Sequence, residues 1–188
     1  MISVKATPAE RGAPLDGDDI VAHPEVTMDR AFTVDAPIDD AWPWIAQLGK
    51  RRAGWYFPRS VERLIPKRRR ALRAVDSRYQ ELSPGDFSPD YGGAAAAFEV
   101  ALIETGRLIV YRSVRGHTSV SWAIKLTAVD DGRARLHFRL KLGPVKHKRL
   151  AEIGGGLVDY VTILGLAAGL QERLRDSERE RATPTFEA

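Results

Sequence analysis

"TSVSWAIKLTAVDDGRARLHFRLKLG", residues 118–143, carries two stretches of alternating side chains on either side of Asp131–Gly132. Trp122, Ile124 and Leu126 fall on one face, with Ser121, Ala123 and Lys125 on the other. Leu136, Phe138, Leu140 and Leu142 alternate in the same way with Arg135, His137, Arg139 and Lys141. Successive side chains of a strand point to opposite faces, and an Asp-Gly pair suits a two-residue hairpin turn. Residues 118–130 and 133–143 are therefore predicted to form a hairpin with one apolar face and one basic, wet face.

The pattern extends outward in both directions. "AAFEVALIE" (96–104) and "RLIVYRSVR" (107–115) flank Thr105–Gly106 and read as a second hairpin. A turn at Pro84–Gly85–Asp86 precedes it. Further back, "DRAFTVDAP" (29–37) reads as a strand and "PIDDAWPWIAQLG" as a helix that follows it. Pro37 suits the first helical turn, Asp39 and Asp40 suit its positive end, and Gly49 suits the stop. Pro43 is expected to kink or shorten that helix, because its ring excludes the carbonyl four residues back. "PRSVERLI" reads as a second short helix. Downstream of the hairpins, residues 150–180 read as one long helix whose polar stripe is Asp159, Thr162, Gly169, Glu172 and Asp176.

Strand, two helices, antiparallel strands and a long helix make an α+β fold, in which the helix covers the one apolar sheet face. The helix carries Gly165, Ala167, Ala168 and Gly169 in one stretch. Small residues there allow either a close approach of helix to sheet or room for a ligand between them. Residues 28–180 are expected to form this domain. Residues 1–27, rich in Pro, Gly, Asp and Ala, read as an extended or loosely ordered arm, and 181–188 as a C-terminal tail.

The chain has 188 residues, 44% of them hydrophobic, and a net charge of +4. That suits one domain with a real core. It has no cysteine, which excludes disulfides, thiolate nucleophiles and zinc–thiolate sites. "MISVKATPAERGAPLDGDD" shows no basic-then-apolar leader pattern, so the expected location is cytoplasmic. "GGGLVDYVTILGLAAGL", from Gly154, contains Asp159 and reads as too short for a membrane span. Charge is uneven: residues 50–73 hold ten Lys or Arg against one acid, Glu62.

The stretch "AWPWIAQLGKRRAGWYFPRSVERL" (41–64) opens that basic segment and holds three of the four tryptophans. With its flanks, "VDAPIDDAWPWIAQLGKRRAGWYFPRSVERL" resembles the "aPpeaVWpWlvQlGqdRaGfYsydwLErl" pattern of a bacterial subgroup of the START-like, or SRPBCC, superfamily. "ELSPGD", "SVSWAIKL" and "DYVTILGLAAGLQERLRD" are similar to the same subgroup, so the resemblance covers residues 28–178. It departs in the more basic "PKRRRALRAVDSRY" and in the tripled glycine at 154–156. The resemblance implies a helix-grip fold: a curved antiparallel sheet wrapped around a long C-terminal helix, with two short helices after the first strand. It also implies an apolar cavity between sheet and helix. Most members bind a hydrophobic small molecule there, and a minority catalyse cyclisation, dehydration or hydrolysis.

That reading sets the expected site. Trp44, Trp55 and Tyr56 form the wall and rim of the cavity, with Trp42 on the core side, although large rings are often simply core. The strands contribute Phe98, Val100, Trp122, Ile124 and Phe138. Of Tyr111 and Arg112 one must point inward, and Arg112 is the polar candidate. The helix contributes Tyr160, Leu164 and Ala168. No catalytic residue, metal ligand or cofactor is expected. His23, His117, His137 and His147 lack metal-ligand spacing, and His137 reads as a surface residue. Glu62 and Asp86 read as ion-pair partners of arginines such as Arg52, and Glu99 as water-facing. Neither a P-loop, a G-x-S-x-G nor a G-x-G-x-x-G occurs.

The expected function is binding or transport of a hydrophobic or amphipathic small molecule: a lipid, fatty acid or polyketide-like aromatic. One alternative is a polyketide cyclase or dehydratase, which needs a titratable group deep in the pocket. The other is an anionic-membrane binder acting through residues 50–73. No nucleic-acid partner is expected, since the aromatics sit in an apolar helix and not on a sheet platform. The oligomeric state is open.

Overall fold

The hairpin at Asp131–Gly132 pairs β5 (Thr118–Asp130) with β6 (Arg133–Gly143), with Trp122 opposite Leu140 and Ile124 opposite Phe138. The computed structural model describes residues 2–90 and 96–182. Around this hairpin lie β1 (Val26–Val34), β2 (Phe87–Pro89), β3 (Ala97–Glu104) and β4 (Leu108–Arg115). The six strands form one antiparallel sheet in the order β1-β6-β5-β4-β3-β2. Register slips of one residue between Val100 and Leu102 and between Ala128 and Asp130 mark bulges. Bulges increase local twist and help a sheet to curl.

Two helices separate β1 from the rest: α2 (Ile38–Ala46) and α3 (Arg59–Glu62). Pro43 lies inside α2, which ends at Ala46 without reaching Gly49. Shortening is what a ring in the second turn should do. After β6 the chain enters a long helical run: α4 (Lys148–Leu150), a π-helical turn (Ala151–Gly155) and α5 (Gly156–Ala182). Its C-terminal part buries Ile163, Leu166, Ala167, Leu170 and Leu174 against the apolar sheet face. This is an α+β helix-grip fold. The run Lys148–Ala182 is long and apolar enough to cross a membrane by length and composition, which corrects the estimate from Gly154 alone. Helical residues on both sides of that stretch supply the extra length.

Gly165 and Gly169 serve close packing. A Cβ on Gly165 would lie 2.6 Å from the Phe57 ring, and one on Gly169 would lie 2.7 Å from the backbone of Tyr56 and Phe57. The partner is the Tyr56–Phe57 segment, not the sheet, so the small stretch leaves no cavity at that point.

The other sheet face is covered as well, and there the expectation of a wet basic surface is corrected. Residues 2–27 lie across it, with α1 (Pro8–Gly12) capped reciprocally by Thr7 and Glu10. Lys5 bridges to Arg30, and Leu15 packs with Leu108, Val110 and Ala123. Arg139 is buried and donates to Asp29, Asp18 and the carbonyls of Glu10, Arg11 and Ala13 at 2.8–3.1 Å. His137 is buried too, 2.7 Å from Asp29. The arm is thus ordered where it was expected to be loose. Its acids and free carbonyls satisfy the cations of the alternating strand, which composition alone does not reveal. Residues 183–188 of the expected tail, and Met1, lie outside the described residues.

Two measurements test this packing. Gly169→Ala is expected to cost about 1–3 kcal/mol in denaturant unfolding, since the intruding methyl meets backbone that cannot rotate away. Arg135 holds the Glu10 carboxyl down from 4.5 to about 2. A depressed carboxylate stabilises above its unfolded value and loses that contribution as pH falls. Glu10→Gln is therefore expected to be less stable than the wild type by up to about 1 kcal/mol at neutrality. The two proteins are expected to converge as the pH falls from 4.5 to about 2. A gap that does not close across that window would show that the arm is held by something else.

Candidate functional site

The sheet curls over α5 from one side only, and a pocket of about 320 Å³ remains between β5, β6 and the first turns of the C-terminal helical run. Trp122 forms its floor. The parity that puts Ile124 and Phe138 in the core puts Trp122, Leu140, Leu142 and Val120 along this wall. Trp122 also anchors an aromatic cluster. Its ring stacks on Trp55 at 6.1 Å and on Tyr111 at 5.5 Å, and lies 5.7 Å from Phe98. Trp55 comes from the loop after α2 and is fixed by its indole N–H, which donates to the Thr162 carbonyl at 3.1 Å.

The opposite wall is helical: Ala151, Gly155, Asp159, Thr162 and Ile163. A residue at 155 larger than glycine would press on Met28, whose Cε lies 3.2 Å from the position of a Cβ. Charged side chains stand at the two ends of a largely apolar space, with Thr162 beside them. At one end Arg115 pairs with Asp90 and stacks over the Phe98 ring at 5.0 Å. At the other, Asp159 lies 2.9 Å from the Arg30 Nε, without the alignment of a hydrogen bond. The Asp159 Oδ2 is buried, and its ion pair with Arg30 is poorly aligned. Burial pushes the Asp159 carboxyl above its ordinary value, against the pull of Arg30 and with a further push from Asp29. An acceptor of this kind suits a ligand hydroxyl or amine.

Of the side chains expected from the sequence, Trp55, Phe98 and Trp122 line the pocket. Trp44 stands in the core, edge-on to Tyr56 at 5.6 Å, and the Tyr56 hydroxyl donates to the Trp44 carbonyl at 2.8 Å. Val100, Ile124 and Phe138 are core residues, with Leu164 packed against them. Ala168 belongs to the half-buried flank of α5, away from the pocket. Tyr160 is exposed, with the Arg30 guanidinium 5.8 Å from its ring. Arg112 faces outward and forms an ion pair with Glu99 across the strand at 2.6 Å, so Tyr111 is the inward member of that pair. Burial pushes the Tyr111 hydroxyl up to about 12.

The ion-pair expectations resolve differently from residue to residue. Glu62 binds Arg73 and Arg173, at 2.9 and 2.6 Å. Arg52 instead donates to the carbonyls of Ala46 and Tyr79, and Asp86 accepts from the Ser83 N–H. Among the described residues no group of three His, Asp or Glu side chains is placed to hold a metal ion. A hollow of about 340 Å³ also opens on the outer face, under the arm. Its lining holds the Glu10–Arg135 pair, Lys125 and His137 but no aromatic wall other than that imidazole, so we take the aromatic pocket as the candidate site.

No protein-family model matches the chain, and no curated protein is similar to it. Solved structures share its fold. CalU16 from Micromonospora echinospora superposes with a TM-score of 0.50 at 13% identity, over 82% of this chain and 84% of that one. A protein from Nitrosospira multiformis gives 0.51 at 14% identity, over 80% and 99%. DynU16, described as a protein of the dynemicin biosynthetic locus, gives 0.46 at 17% identity over 80% of this chain, which spans 48% of its length. The curved sheet around a C-terminal helix is thus a fold shared with known structures.

Asp159→Asn tests the pocket's electrostatics. A carboxyl whose folded pKa is raised stabilises the fold only while protonated, and that contribution is lost as pH rises through the folded value. The variant is expected to match the wild type below 3.8 and to become the more stable of the two toward neutrality. Thermal unfolding across that range checks it, and a variant less stable at neutrality would mean that Arg30 needs the charge.

Proposed function

We propose that this protein binds an apolar or amphipathic small molecule in the pocket between its sheet and its C-terminal helix. The observation that carries the reading is the Trp55–Trp122 wall facing a space of about 320 Å³. Ligand sites are typically concave and mostly apolar, with a few placed polar groups, and begin near ~300 Å³. Stacked indoles favour a flat ring or a chain laid along them. Asp159 at one end and the Arg115–Asp90 pair at the other would orient a polar substituent. The motif resemblance over residues 28–178 supports the same reading, and membership of that bacterial START-like subgroup is part of the proposal.

A second reading is a cyclase or dehydratase-type enzyme, and one observation favours it. Asp159 is a buried carboxyl of raised pKa lining the pocket, the kind of group that general acid–base chemistry uses. It has Arg30 beside it, and the other carboxylate among the described lining residues, Asp90, is paired with Arg115. We therefore place binding first.

Tryptophan emission separates pocket from core. A long-chain fatty acid or a polycyclic phenol is expected to shift or quench wild-type fluorescence. Trp55→Phe with Trp122→Phe is expected to remove most of that change, whereas Trp42→Phe and Trp44→Phe, both core residues, retain it. A signal that survives the first pair and vanishes with Trp44→Phe would move the ligand elsewhere. Turnover lost on Asp159→Asn, with ligand binding intact, would favour the enzyme.

A further inference from the structure

The C-terminal helical run has two unlike halves. Beyond Thr162 its apolar side chains are in the core. Before it, Leu150, Ile153, Leu157, Val158 and Val161 are each between 55% and 75% exposed. Leu157, Val158 and Val161 stand at three-and-four spacing on one face of α5, and Leu150 and Ile153 of the preceding turns are exposed with them. An apolar stripe of this kind on an outer surface marks an interaction site. Lys146, His147, Lys148 and Arg149 immediately precede it, all exposed. The acid nearest in sequence is Glu152, 3.9 Å from Lys148. The inner side of the same turns lines the pocket through Ala151, Gly155 and Asp159.

We propose that this face, from Lys146 to Val161, docks on an anionic lipid surface, with the helix lying in the plane of the interface and the mouth of the pocket beside the acyl chains. A basic end joined to an apolar stripe is the arrangement of interfacial amphipathic helices. A second copy of the chain fits less well. Packed parallel, two such helices would oppose their basic runs. Packed antiparallel about the stripe, each basic run would meet Thr162–Gly165, which holds no acid. Crossing the membrane fits worse still. It would strip Leu166, Leu170 and Leu174 from the core and carry Arg173 away from Glu62. The basic segment at 50–73 is a weaker competitor, because Arg52, Arg59, Arg70 and Arg73 are already engaged within the fold. Exposed Lys67, Arg68 and Arg69 therefore make a fair control. Docking stands without the ligand reading. Only the passage of a lipid-phase ligand into the pocket rests on it.

Co-sedimentation with large vesicles tests the proposal. Wild-type protein is expected to bind vesicles of equal parts phosphatidylcholine and phosphatidylglycerol at low salt, to bind phosphatidylcholine alone weakly, and to be released by salt. Lys146→Gln with Lys148→Gln and Arg149→Gln is expected to lower partitioning about a hundredfold. Leu157→Gln with Val161→Gln is expected to lower it about tenfold or more. Lys67→Gln with Arg68→Gln and Arg69→Gln is expected to leave it unchanged. All these side chains are exposed, so circular dichroism should show intact folds. The Trp55→Phe, Trp122→Phe protein is expected to bind vesicles like the wild type, which separates failure of docking from failure of the ligand reading. The proposal is overturned if the wild type ignores anionic vesicles at low salt. Loss of binding in the 67–69 variant alone would overturn it too. So would a solution dimer that Leu157→Gln with Val161→Gln dissociates in a protein that does not bind vesicles.

Discussion

One buried guanidinium holds the closed end of this molecule together. Arg173 of α5 is fully buried, and it donates to Glu62 at 2.6 Å and to the carbonyls of Leu72, Phe57 and Gly169 at 2.8–3.1 Å. Its plane also lies 4.6 Å from the centre of the Tyr56 ring. Burial draws its pKa down, and the Glu62 carboxylate draws it back up. A buried charge is tolerated only when it is paired and its donors are used, and both conditions are met here. The consequence reaches the site. The loop from Trp55 to Leu72 is pinned to the core helix, Phe57 lies on Gly165, and Trp55 arrives over Trp122. Lysine could not replace this side chain, since a single ammonium does not reach four acceptors in a plane.

Arg139 does for the outer face what Arg173 does for the inner one. Each collects backbone carbonyls from a distant, irregular segment together with at least one carboxylate. Irregular segments carry unsatisfied carbonyls, and an arginine with five donors can gather several at once. The sheet is therefore covered on both sides, by a helix on one and by an arginine-stapled arm on the other. Asp18 of the arm is held below its usual range: burial alone would raise it, but the hydrogen bonds from Lys141 and the Leu15 N–H and the charge of Arg139 outweigh burial.

Regular structure was legible in the sequence because it obeys periodicity. The β5–β6 hairpin has the predicted bounds, and the order of elements follows from turn signals. The floor of the pocket was legible for the same reason, since Trp122, Leu140 and Leu142 share one parity. Strand parity also places Tyr111 and Arg115 together on the inner face and Arg112 on the outer one, as β4 shows. Trp44 and Trp55 could not be told apart in this way. Trp44 lies on the short α2, but Trp55 lies in a loop that has no period and whose path is fixed by Arg173, which in "LQERLRD" looks like any surface arginine of a helix. Asp159 was visible as part of a polar stripe, but that stripe gives no hint that one member turns inward to Arg30. The arm was the largest surprise. Its composition resembles that of a disordered segment, and the cations of the sheet together with the burial of Val4, Leu15 and Val21 hold it in place.

The long helix explains why the pocket sits at one end. Toward its C-terminus the glycines and alanines let the Tyr56–Phe57 segment press directly against it, and the space that small side chains might have left is filled with protein. Toward its N-terminus the ladder widens to a π-turn at Ala151–Gly155, whose residues line the pocket together with Trp55. A π-turn inserts a residue into the helix and rotates what precedes it, an irregularity often found at functional sites. Leu150 and Ile153 thereby project outward while Ala151 and Gly155 face the pocket with little bulk. The opening and the outward course of Leu150 and Ile153 are two sides of one local departure from α-helical geometry. Any substitution that restores a regular helix there would be felt at both.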